Sequence, residues 1–85
     1  MSEIGLRDYF AKLEQLLNAT AADEVIHHCR HILQYYPKSV DAYRFLGRAL
    51  LINGRWDEAM SALRRVLSVI PDDYQAHLGL SEIYD

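Results

Sequence analysis

The sequence predicts an all-α fold: antiparallel helix pairs stacked into a superhelix, with two full repeats and a fifth, terminal helix. Three observations carry this expectation. The chain matches itself at a shift of 34 residues; apolar residues inside each repeat recur at spacings of three and four; and Asn53-Gly54, Pro37 and Pro71 punctuate the pattern where helices should stop. At that shift Tyr9 falls on Tyr43, Leu16 on Leu50, Leu17 on Leu51, Asp23-Glu24 on Asp57-Glu58, Arg30 on Arg64, Leu33 on Leu67 and Pro37 on Pro71. Further along, Ala42 falls on Ala76, Leu46 on Leu80 and Leu50 on Tyr84, so a third repeat begins before the sequence ends.

The first helix is expected over about 4–18. Thr20, with Asp23 three residues on, has the form of a capping box and opens a second helix over about 21–35. Pro37 closes that pair, because proline lacks the amide a helix interior needs. Ser39 is an N-cap for the third helix, about 40–52, whose Tyr43, Leu46, Leu50 and Leu51 form one apolar face. Gly54 ends it, since glycine most cheaply adopts the left-handed conformation that terminates helices. The fourth helix, about 55–69, repeats the apolar face with Ala59, Leu63, Val66 and Leu67, a spacing that Ile70 continues. Pro71 stops the pair, and either Asp72 or Asp73 caps a fifth helix over about 73–85. The whole of 1–85 reads as one domain, with repeats at about 6–39 and 40–73 and a partial third at 74–85.

Bulk composition narrows the function. With 51% hydrophobic and 25% charged residues the chain should be globular rather than disordered. Its net charge of −3, with both signs interspersed, leaves no basic stripe to neutralise a phosphate backbone, so a nucleic-acid partner is not expected. The single cysteine, Cys29, has no intrachain disulfide partner, and the N-terminus lacks a signal-peptide layout; a cytoplasmic setting is the expectation. Apolar runs fall far short of the ~20 residues needed to span a bilayer, so no membrane partner is expected.

The second repeat resembles the tetratricopeptide repeat. Tyr43 stands in the family's first aromatic slot, followed by Leu46-Gly47, Leu50, Ala59, Leu63 and Pro71 in the family's order and spacing. Gly47 and Ala59 are small because two helix backbones approach closely there, while Trp56 reads as a structural residue packed over the hinge. The first repeat departs from the pattern, with Lys12-Leu13 in place of Leu-Gly and Val25 in place of Ala, and its helices should sit further apart. The third keeps Leu80 but carries His77 and Ser81 in the aromatic and glycine slots.

The resemblance implies a right-handed superhelix whose first helices line a concave groove that binds a peptide segment of a partner protein. On that basis the first repeat contributes Arg7, Phe10, Glu14 and Leu17 to the groove. Asp41, Arg44, Arg48, Leu51 and Ile52 come from the second, and Gln75, Leu78 and Glu82 from the third. Arg44 and Arg48 lie one turn apart and either receive a ligand carboxylate or phosphate or pair with the neighbouring Glu14 and Glu82. Some family members clamp the C-terminal carboxylate of heat-shock chaperones with Lys, Asn and Arg; here the first-repeat slots hold Phe10 and Glu14, so that clamp is not expected.

Other chemistries find little support. His27 and His31 share a helix face, but two histidines are only part of a metal site; no metal or other cofactor is expected, and Cys29 reads as a small core residue. Phosphate-binding loops, nucleophile elbows and spaced carboxylate pairs are missing, so the chain reads as a scaffold, not an enzyme. An alternative is the N-terminal regulatory or self-association module of a longer protein, such as one whose enzyme lies downstream. Leu78, Leu80, Ile83 and Tyr84 give the last helix more apolar surface than one neighbouring repeat covers, which is expected either of a fragment of a longer protein or of a module that self-associates through this helix, with a homodimer the preferred expectation.

Overall fold

The computed structural model describes residues 5–18 and 21–84, with side chains from residue 7 onward. Five helices follow one another: α1 (Gly5–Asn18), α2 (Ala22–Tyr35), α3 (Val40–Ile52), α4 (Trp56–Val69) and α5 (Tyr74–Tyr84). Among the described residues there is no strand. The fold is all-α and tetratricopeptide-like.

Local chemistry sets the boundaries. The Ser39 hydroxyl accepts from the Ala42 amide at 3.2 Å, and Asp73, rather than Asp72, caps α5 by accepting from the Ala76 amide at 2.9 Å. Thr20 lies outside the described residues. The N-cap position of α2 belongs to Ala21, which makes no side-chain cap bond. Asp23 and Glu24 in the first turn of α2, like Asp57 and Glu58 in that of α4, instead oppose the positive end of the helix dipole. Gly54 has φ +73°, and two bonds close the turn around it: Gly54 N to Leu51 O at 3.0 Å and Arg55 N to Leu50 O at 2.9 Å. This is a Schellman motif, which satisfies carbonyls that the end of α3 would otherwise leave unpaired. Trp56 lines a shallow concavity with Gly54 and Arg55 of this hinge. It opens α4 with half of its surface in solvent, and the turn beside it is closed by the backbone bonds of Gly54 and Arg55.

The core runs between the helices of each pair and across the seam between pairs. Leu13, Val25, Cys29, Leu50, Leu63 and Val66 are its largest fully buried side chains. α3 sits at the centre, against α2 on one side and α4 on the other, while α1 packs less closely on α2 than α3 does on α4 among the described residues. The reason is visible at Gly47: a Cβ there would lie 2.5 Å from Leu63 Cδ2, and Ala59, fully buried, faces the same contact. Only a residue without a side chain lets α3 and α4 approach this far. Gly79 does the same for α5, where a Cβ would meet Leu63 Cδ1 at 2.7 Å and Leu51 Cδ1 at 3.2 Å. The small residue of the third repeat is therefore Gly79, two positions before the slot that Ser81 occupies in the repeat pattern.

Candidate interaction groove

A concavity of about 410 Å³ opens between α3 and α5. Leu51, Ile52, Leu78 and Tyr74 supply its apolar surface, Gly79 lies at its base, and Arg48, Gln75 and Glu82 form its polar edge. Apolar side chains standing in water at a concave seam are the general signature of a recognition surface. Ile52 is 52% exposed, Leu78 48% and Tyr74 74%, so the surface is open to an incoming chain.

Six residues assigned to the groove from sequence come together here: Arg48, Leu51, Ile52, Gln75, Leu78 and Glu82. Those of α1 do not. Arg7 is exposed further along the molecule, and Glu14 is engaged by Arg48. Phe10 stacks on Phe45 with centroids 5.5 Å apart and planes 6° from parallel. Leu17 is only 5% exposed and, with Leu13 one turn earlier on the same helical face, belongs to the core. Tyr74 and Phe45 escaped the sequence reading. Tyr74 opens α5, one residue before the stripe projected from the repeat, and Phe45 lies beside that stripe on α3.

Both arginines of α3 are held by carboxylates of the chain itself. Arg44 makes two bonds to Asp73, 2.8 Å and 3.3 Å, and a third to Asp41 at 2.6 Å. The bond to Arg44, reinforced by the Ala76 amide, holds the Asp73 carboxyl below the usual range, and the same pairing raises Arg44 further. Arg48 reaches both oxygens of Glu14, at 3.1 Å and 3.2 Å, and its guanidinium lies 5.3 Å from the centre of the Phe45 ring. That bond lowers the Glu14 carboxyl as well. Arg48 thus pairs with Glu14 as one of the two sequence readings has it, whereas Arg44 takes Asp73 and Asp41 in place of Glu14 or Glu82.

On α5, Leu80 and Ile83 are half-buried against the core, while Leu78 and Tyr84 remain exposed. The Tyr84 hydroxyl accepts from Arg64 at 2.9 Å. On α2, His27 and His31 are exposed, His31 packs edge-on against Tyr35, and His28 shares a 2.7 Å hydrogen bond with the Tyr9 hydroxyl. Cys29 is fully buried, and burial pushes its thiol up to about 12. Among the described residues no group of three or more His, Cys, Asp or Glu is placed to hold a metal ion, and no helix is long and apolar enough to cross a membrane.

Stacked antiparallel helix pairs with an open apolar seam define the class of helical-repeat interaction scaffolds. A family model for the tetratricopeptide repeat matches residues 16–83, and the chain belongs to that family. Repeats of this kind generally mediate protein–protein interaction and typically act as non-catalytic scaffolds. Neither a curated protein nor a solved structure matches the chain.

Proposed function

We propose that the chain is a scaffold that binds a segment of a partner protein in the groove between α3 and α5, without catalysis of its own. The observation that carries this reading is the exposed trio of Ile52, Leu78 and Tyr74 around one concavity. Burying such side chains against a partner yields roughly 25 cal/mol per Å² of apolar surface, enough for a short segment to bind if its ordering cost is modest. Selection of binders from a random peptide library displayed on phage tests it, followed by titration of the enriched peptides against Leu78→Asp. Leu78 is half-exposed, so its substitution alters the groove without opening the core. The expected result is enriched peptides that lose affinity at least ~10-fold on Leu78→Asp. Enriched peptides indifferent to that change, or no enrichment, would move the interaction elsewhere or remove it.

A second reading is self-association through the same helix, as a module of a longer cytoplasmic protein. Its supporting observation is that Leu78 and Tyr84 on α5, with Val69 at the end of α4, are all exposed. Leu80 and Ile83 add little to such an interface, since they pack inward. Light scattering across a wide concentration range separates the two readings: a mass that doubles, and returns to the monomer value on Leu78→Asp, favours self-association.

A further inference from the structure

Peptide grooves are selective through the charges that remain available once the protein has satisfied its own. Two arginines of α3, Arg44 and Arg48, lie among four carboxylates: Asp41 on the same helix, Asp73 before α5, Glu14 on α1, and Glu82 on α5, which lines the groove with Arg48. Three of those carboxylates are bonded to the arginines. Both guanidiniums are therefore committed, and these six groups together keep an excess of two negative charges. Among the described residues Glu82 has no cationic partner, and it stands exposed on the groove wall. Gln75, Leu78 and Glu82 lie on α5 at spacings of three and four, so the carboxylate follows the apolar anchor on the same helical face, one turn further on.

The start of the same helix adds a second preference of the same sign. The ring of Tyr74 is 74% exposed at the other end of the stripe, and the face of an aromatic ring attracts a cation. An incoming carboxylate or phosphate would meet Glu82 and the surplus carboxylates of the seam, with no uncommitted cation among the described residues of the groove to receive it.

Resting on the peptide-groove reading above, we infer that the occupant is a basic amphipathic peptide segment: an apolar side chain seated on Leu51, Ile52 and Leu78, flanked by a Lys or Arg at Glu82. Recognition of an acidic or phosphorylated segment would require Arg44 or Arg48 to abandon a two-pronged carboxylate pair, and such pairs are the stronger kind.

The test uses three fluorescein-labelled nonapeptides that share the same leucines and differ only in their polar positions, which are all Lys, all Glu or all Ser. Affinity is read by fluorescence anisotropy on the 85-residue chain. The Lys peptide should bind tightest, weaken roughly 3- to 10-fold on Glu82→Lys and about half as much, on a logarithmic scale, on Glu82→Gln. Its affinity should also fall as salt is raised from ~50 to ~300 mM. Circular dichroism of both variants should match the parent, since Glu82 is exposed. Binding of all three peptides with equal affinity, abolished by Leu78→Asp, would overturn the charge preference and leave the groove standing. A preference for the Glu peptide would reverse the inference. Binding of none of them, together with no enrichment from the peptide library, would remove the groove itself.

Discussion

Gly47 and Leu63 meet where α3 crosses α4, so closely that a methyl group on Gly47 would lie 2.5 Å from Leu63 Cδ2 and 2.8 Å from Cγ. The second of these is not the free end of a flexible side chain, and Leu63 is fully buried, so little can give way. Gly47→Ala should therefore destabilise by about 1–2 kcal/mol, the overpacking loss exceeding the ~1 kcal/mol that alanine gains over glycine in a helix. Leu63→Ala alone should cost about 2–5 kcal/mol. The double variant should be less destabilised than the two together, because the new methyl occupies part of the space Leu63 leaves; urea melts of all four proteins give the coupling directly. Strict additivity would mean that the two residues do not share that space.

Asp73 has two jobs at the start of α5. It caps the helix at Ala76 and pairs with Arg44 across the seam. Asp73→Ala should cost roughly 1–3 kcal/mol, and Asp73→Ser, which keeps a capping oxygen, should recover about 1 of that. Thermal melts followed at 222 nm distinguish the two; equal losses would mean that the cap contributes nothing.

Acid should act through the same pairs. The carboxyls of Asp73 and Glu14 are lowered by their arginines, so their contribution to stability is complete above the ordinary carboxylate range, near pH ~4, and is lost as pH falls through their lowered folded values. Urea midpoints measured from pH 6 downward should decline below about pH 4, and the decline should be shallower in Asp73→Asn. A midpoint independent of pH over that range would contradict the pairing.

Alkali should act through Cys29. Burial raises its thiol to about 12, whereas an unfolded cysteine ionises near ~8.5, so the folded state loses stability as pH climbs through that interval, by up to ~1.4 kcal/mol per pH unit. Cys29→Ala removes this dependence and leaves whatever slope the tyrosines and lysines contribute. In the parent at neutral pH, a thiol reagent should react slowly and reach the free-thiol rate only in denaturant.

The helices were legible because three independent signals coincide in this chain: the 34-residue period, the three-four apolar spacing and the proline or glycine stops. Over the described residues, every expected bound lies within one residue of the observed one. Contacts that obey the period were legible too, as with Arg48 and Glu14, which are one period apart. Contacts that break it were hidden. Arg44 reaches Asp73, 29 residues away, because the capping residue of the next helix swings under the seam, and Gly79 replaces the expected glycine slot because α5 meets Leu63 at a shifted level. Leu17 shows the same limit from the other side: a stripe projected from the second repeat assumes the first is packed identically, and the looser α1 turns that leucine inward.

Leu63 touches both glycines, Gly47 on α3 and Gly79 on α5. One side chain is thereby common to two junctions, so α5 cannot lift away without exposing a wall of the cavity in which α3 and α4 are locked. The last three helices should open as a single cooperative block, while α1 frays by itself. A ligand that fastens α5 to α3 would then slow amide hydrogen exchange along α4, a helix it never contacts, and its occupancy could be followed from that distant signal.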